Sequence, residues 1–300
     1  MRRAFLCGED HYTGESYEHR RAWVEQRALE VAAVFAIDIA SFAIMSNHYH
    51  LVLHVDIDAA SQWRTEDVIA RWHTLFNGTY LSRRYASNAN ALLPSERQHV
   101  LELTERWRKR LISVSWFMRC INEPIARQAN AEDNCTGSFW EGRFKSQALL
   151  DEQAVLAAMA YVDLNPIRAS MADTPEASDH TSIQRRIRSA ADGRVPRELM
   201  RFQGNLNQHS LAGIPFSLED YVQLVDWTGR AVRNGKRGAI DETLPPILQR
   251  LAIDEDTWLT IATEFEQNFK AWVGSEAAIQ SATRNVGKTR SRSPPLLRTG

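Results

Sequence analysis

A chain of 300 residues with 44% hydrophobic content can bury a sizeable core, and its length suggests one or two domains. Its formal net charge of −1 argues against a nonspecific nucleic-acid coat protein, so phosphate binding has to be local. Cys7, Cys120 and Cys135 lack Cys-x-x-Cys spacing, which supports neither a zinc ribbon nor a disulfide framework; with no signal-like or membrane-length apolar run, a cytoplasmic protein without a membrane partner is expected.

Ser16 is placed to cap a helix from Tyr17 to Val34 whose apolar side includes Trp23, Leu29 and Val31. A strand from Ile37 to Ile44 follows, and a sharp turn at Met45 to Asn47 returns the chain through Ser46-Asn47-His48-Tyr49-His50-Leu51-Val52-Leu53-His54-Val55 as an antiparallel hairpin. Alternation puts His48 and His50 on one face of that second strand and Tyr49, Leu51, Leu53 and Val55 on the other. Two imidazoles side by side form a bidentate metal clamp, although the same spacing also occurs on ordinary half-exposed sheet faces. His54 shares their face but lies two rungs from His50, on the order of 13 Å, too far to share an ion.

Thr65 to Asn77 reads as a helix, Tyr80 to Pro94 as a loop or irregular insert, and Ser95 begins another helix. A helical stretch from Leu111 to Ala131 contains Pro124, which should kink or divide it. Between Arg106 and Lys145 eight basic residues, Arg119, Arg143 and Lys145 among them, face four acidic ones and alternate with aromatics such as Trp116, Phe117, Phe139 and Trp140. Cations that track phosphates and rings that stack on bases are what single strands require, while solvated helix faces and core aromatics account for about half of the set on any reading.

A strand from Phe144 to Leu150 leads to Asp151, a good N-cap, and to the apolar helix Ala154 to Met159. On that helix Tyr161 and Asn165 lie one turn apart on the same face, and Pro166 makes Asn165 a helix end or kink. A phenol can act as a nucleophile and an amide oxygen as a hard metal ligand; a core aromatic with a wet hydroxyl is the bland alternative. Pro175, Ser178, Asp179 and Thr181 mark a boundary, followed by a short helix from Ile183 to Ser189 and helical stretches at Leu218 to Arg233 and Asp256 to Val273, with no visible catalytic constellation. Arg284 to Arg298 carries five basic residues and no acidic one and reads as disordered.

The order His48-Tyr49-His50, Phe139-Trp140-Glu141-Gly142-Arg143-Phe144-Lys145, and Tyr161 to Ala169 resembles the single-tyrosine HUH transposases, specifically the branch associated with repetitive extragenic palindromes. The resemblance covers roughly residues 1 to 190 and implies an α+β fold: a ferredoxin-like or RRM-like antiparallel sheet with helices on one side. The corresponding domains are a catalytic domain over 1–175, a helical extension over 176–280 that serves either packing or DNA recognition, and a basic disordered tail over 281–300. Family members usually carry a longer lead with a complete first strand, which here is shortened to residues 2–7.

The resemblance further implies that His48, His50 and Asn165 hold Mg²⁺ or Mn²⁺ and that Tyr161 is the nucleophile. Arg143, Lys145, Arg168, Arg119 and Trp140 are the expected DNA contacts. The implied activity is metal-assisted transesterification of single-stranded or hairpin DNA through a 5′-phosphotyrosine, in a nucleoid-associated protein that could act as a homodimer. A catalytically silent hairpin-DNA binder, a domesticated or degraded transposase, is the alternative.

Overall fold

The computed structural model describes residues 6–10, 13–204, 213–234, 245–269, 271–287 and 293–296. They form a mixed helix and sheet protein in which helices dominate and the main strands form one antiparallel hairpin. Two compact units are present, Met1–Ile39 with Leu53–Arg143 and Ala40–Val52 with Phe144–Gly300.

In chain order the first elements are α1 (Arg20–Val34), β1 (Ile37–Ile44), β2 (Tyr49–Val55), α2 (Ile57–Gln62), α3 (Thr65–Leu75), α4 (Tyr80–Asn88), α5 (Pro94–Leu111) and α6 (Val114–Glu132). The first unit contains these six helices and the base of the hairpin. Arg20 is fully buried at the start of α1, donates to Glu132 at 2.7 Å and to Asp133 at 2.6 Å, and lies 4.1 Å over the Tyr17 ring. A buried guanidinium is tolerable only when paired in this way, and the pairing fastens the start of α1 to the end of α6.

Of the segment expected as a loop or irregular insert between Tyr80 and Pro94, residues 80–88 form α4 instead. Thr79 Oγ1 accepts from the Ser82 N–H at 3.1 Å and Ser82 Oγ accepts from the Thr79 N–H at 2.9 Å, a reciprocal cap that its polar composition conceals. Nor is α6 divided at Pro124. One proline removes one intrahelical hydrogen bond, and the buried row Phe117, Ile121, Ile125 and Ala129 holds both halves in one packed helix.

The second unit contains the tip of the hairpin, then β3 (Ala148–Leu149), α7 (Glu152–Asp163), α8 (Asn165–Arg168), α9 (Ser182–Ala191), α10 (Leu218–Asn234), α11 (Pro246–Arg250), α12 (Glu255–Asn268), β4 (Trp272–Val273) and α13 (Glu276–Asn285). The strand expected over Phe144 to Leu150 contracts to Ala148–Leu149, where alone it finds a partner, pairing in parallel with Trp272–Val273. Residues 1–5, on which most of the expected first strand falls, lie outside the described residues. In the basic tail, 281–285 belong to α13 and Leu296 is buried, because its side chain has core to enter and its N–H donates to Gly274 O at 2.9 Å; 288–292 and 297–300 lie outside the described residues.

Asp151 caps α7 as expected, accepting from the Ala154 N–H at 3.0 Å, and its second oxygen accepts from the Ser275 N–H at 2.6 Å. The helix is buried nearly all round, with four alanines, Ala154, Ala157, Ala158 and Ala160, among its buried residues. Small side chains admit neighbours from several sides, and α12 packs along it. Gly229 serves the same purpose on α10: a Cβ there would stand 3.2 Å from Ile167 and 3.4 Å from Leu164, so the missing side chain lets α10 close onto α8.

At the end of α7, Asp163 is fully buried and accepts from Ser182 Oγ at 2.5 Å, Tyr221 Oη at 2.5 Å and the Ile183 N–H at 3.1 Å. Burial raises the carboxyl above its ordinary range, and burial beside Asp163 holds the Tyr221 phenol well above its own, so Tyr221 stays a donor. Tyr221→Phe strands one buried carboxylate oxygen and is expected to lower stability by about 1–3 kcal/mol, measured as an earlier urea midpoint at unchanged m-value.

Candidate active site

His48 does not lie within β2, which starts at Tyr49, but in the tight return before it, where its carbonyl accepts from the Met45 N–H at 2.9 Å. The imidazole still reaches its expected neighbour, with the His48 and His50 ring centroids 4.8 Å apart and edge-to-face. Tyr161, on the last turn of α7, meets the same pair: its ring centroid is 5.9 Å from that of His50, again edge-to-face. His54 is occupied elsewhere on the strand, 3.3 Å from Asp38.

The wall of this site comes from α12. Phe265 lies against Tyr161 at a centroid distance of 5.6 Å, and Glu266 Oε1 is 3.4 Å from His50 Nδ1. Arg168 closes the other side with its guanidinium 3.6 Å over the Tyr161 ring, donating to the carbonyls of Thr263 at 2.9 Å and Tyr161 at 3.2 Å. Glu264 has non-helical backbone angles inside α12, and Arg168 binds at that irregular turn. Arg168, expected as a DNA contact, is thus bound to carbonyls beside the tyrosine. No site role for α12 is legible in the sequence, because a lone Phe-Glu pair on an amphipathic helix carries no signal of one.

Asn165 is buried at the first position of α8, one residue past the junction at Leu164. Its amide nitrogen has no hydrogen-bond partner, and no ring contact or hydrogen bond joins its side chain to the imidazoles among the described residues. The remaining expected DNA contacts each have local surroundings of their own. Arg143 and Lys145 are exposed and have no ion-pair partner among the described residues. Arg119 pairs with Glu123 at 3.1 Å and lies 5.1 Å over Trp116, and Trp140 donates its indole N–H to Asn122 O at 2.9 Å.

Both imidazoles are held neutral. Burial pushes His50 down to about 3, with His48 and Arg168 adding repulsion, and burial also lowers His48, where the Glu266 carboxylate partly opposes it. A neutral imidazole is the metal-binding form, and two adjacent ones make a donor pair that leaves an ion open positions. The residues therefore fit a divalent ion, although among the described residues no group of three or more His, Cys, Asp or Glu has metal-holding geometry. Comparison with family models, curated proteins and solved structures returns no match.

The depressed His50 value has a consequence for stability. Between the folded value of about 3 and the ordinary 6.5 the unfolded chain binds the extra proton, so this contribution is complete above 6.5 and is lost as pH falls. The limiting slope is about 1.4 kcal/mol per pH unit. Urea denaturation of His50→Gln across this range is expected to give a flatter pH profile than the wild type.

Proposed function

We propose that this chain is a single-tyrosine HUH transposase that nicks and rejoins single-stranded or hairpin DNA. The observation that carries the proposal is the meeting of a helix-borne phenol with a pair of neutral imidazoles: Tyr161 stands 5.9 Å from His50, which stands 4.8 Å from His48. No short-range sequence pattern requires that meeting, and the order of motifs supplies the chemistry it serves. On this reading the hairpin is the centre of a ferredoxin-like, RRM-like sheet, and the protein works on palindromic DNA near the nucleoid, where it could act as a homodimer.

In the proposed reaction Tyr161 Oη attacks a phosphodiester phosphorus. Its proton leaves to solvent or a base, the O–P bond to the sugar 3′-oxygen breaks, and that oxygen departs as a 3′-hydroxyl after taking up a proton. Tyr161 remains linked to the 5′-phosphate, and attack by a second 3′-hydroxyl reverses the sequence and joins new ends. His48, His50 and the Asn165 amide oxygen would hold Mg²⁺ or Mn²⁺, which when bound supplies Lewis-acid polarisation of the phosphate. Phe265 and Arg168 fix the tyrosine ring from two sides, so its hydroxyl needs little reorganisation before attack. Arg143, Lys145, Arg119 and Trp140 are the proposed strand contacts.

Tyr161→Phe keeps the ring that Phe265 and Arg168 pack against and removes only the attacking atom. It should fold, bind hairpin DNA and form no covalent adduct on denaturing gels; an adduct formed by this variant would move the nucleophile elsewhere. His48→Ala and His50→Ala should each abolish Mg²⁺- or Mn²⁺-dependent nicking with DNA binding retained. A wild type that binds hairpins yet forms no adduct on any palindrome-flanked substrate would favour the silent binder.

Phosphate contacts by the two exposed cations predict a salt-dependent affinity for single strands. Lys145→Ala should make the slope of log K against log salt shallower by about 0.7 if it removes one contact, measured by fluorescence anisotropy. An unchanged slope would take Lys145 off the DNA path.

A further inference from the structure

We infer that Glu266 is a positioning residue for the metal site, a carboxylate that sets the tautomer and orientation of His50. The inference rests on the metal-dependent reading above and adds to it a residue from α12, far along the chain from either motif. A neutral imidazole carries one hydrogen, so the nitrogen that donates it cannot bind metal and the other must. Glu266 Oε1 stands 3.4 Å from His50 Nδ1, and Asn47 Oδ1 stands 2.5 Å from His48 Nδ1. Each ring thus has an oxygen facing the same nitrogen, in a hydrogen bond at His48 and in a longer electrostatic contact, from a half-exposed carboxylate, at His50. Neither Nε2 has a hydrogen-bond partner among the described residues. The two acceptors select the Nδ1–H form and leave both Nε2 lone pairs for an ion, the outer-shell arrangement that ligating histidines generally require.

Three further observations separate positioning from direct ligation or accident. Glu266 makes no other ion pair or hydrogen bond among the described residues, so no competing structural contact explains its placement. Its turn of helix is anchored on either side of the break at Glu264, by Arg168 on the Thr263 carbonyl and by Phe265 on Tyr161. His48, His50 and Glu266 do not form a three-donor group of metal-holding geometry, as a third ligand would require.

Mn²⁺ binding to the DNA-free full chain, followed by the electron paramagnetic resonance of free Mn²⁺, tests the inference alongside long-range ¹H–¹⁵N spectra of the histidine rings without metal. The wild type is expected to bind Mn²⁺ and His50→Ala to lose it. Glu266→Ala is expected to weaken binding by about 10–100-fold and to shift His50 from the Nδ1–H toward the Nε2–H tautomer. Glu266→Gln, whose amide oxygen still accepts from Nδ1, is expected to keep the tautomer and most of the affinity. Wild-type affinity and an unchanged tautomer in Glu266→Ala overturn the inference alone. Binding as poor as that of His50→Ala, with the tautomer unchanged, overturns positioning in favour of direct ligation. Equal Mn²⁺ binding by the wild type and His50→Ala overturns the metal reading itself and this inference with it.

Discussion

The second unit is organised around one buried carboxylate. Asp163 ends α7, and its oxygens gather the first turn of α9 through Ser182 and Ile183 and the first turn of α10 through Tyr221. Ser182 Oγ also accepts from the Phe42 N–H at 2.9 Å, and the buried Arg186 donates to the Ala40 carbonyl at 2.9 Å, which draws β1 into the same network. A carboxylate with no access to water is tolerable only when such donors surround it, so the network can close only when these elements are in place together. Tyr161 and Asn165 flank Asp163 two residues to either side, and the network therefore fixes the segment that bears them.

A second constraint acts on the tyrosine itself. Phe265 and Arg168 hold its ring, and both depend on α12, so this late helix forms part of the wall around a site whose best-marked residues come earlier in the chain. The electrostatics follow from the same enclosure. Burial lowers both histidines, the Arg168 charge lowers His50 further, and the only carboxylate in contact with that pair among the described residues, Glu266, lies at the more open edge. The outcome is a small region of neutral imidazoles beside a phenol, with one carboxylate at its edge.

Several features were determined by the sequence alone. The hairpin from Ile37 to Val55 is legible because alternation and a short polar return suffice to specify it, and the Asp151 cap because one side chain meets one nearby N–H. The adjacency of His48 and His50 is likewise local, since a short return and a strand start leave their rings little freedom to separate. The reciprocal Thr79 and Ser82 cap was equally local but hidden in a polar segment that resembles a loop. Pro124 misled in the opposite sense, because the packing that holds α6 together depends on neighbours that a propensity argument cannot count.

Only the tertiary structure decided what stands beside Tyr161. Placing a helix-borne tyrosine next to a hairpin histidine requires the burial of α7 among its neighbours, a many-body packing outcome that no short pattern encodes. The roles of Arg168, Phe265 and Glu266 were closed to sequence reading for the same reason. Each is an ordinary residue on an ordinary helix, and its meaning arises from a contact made across the fold. The sequence by itself determined the hairpin, the capped apolar helix and the chemistry of their side chains, because those depend on neighbours within a turn or a strand rung; the assembly of these parts into one site depended on long-range burial, which only the folded chain supplies.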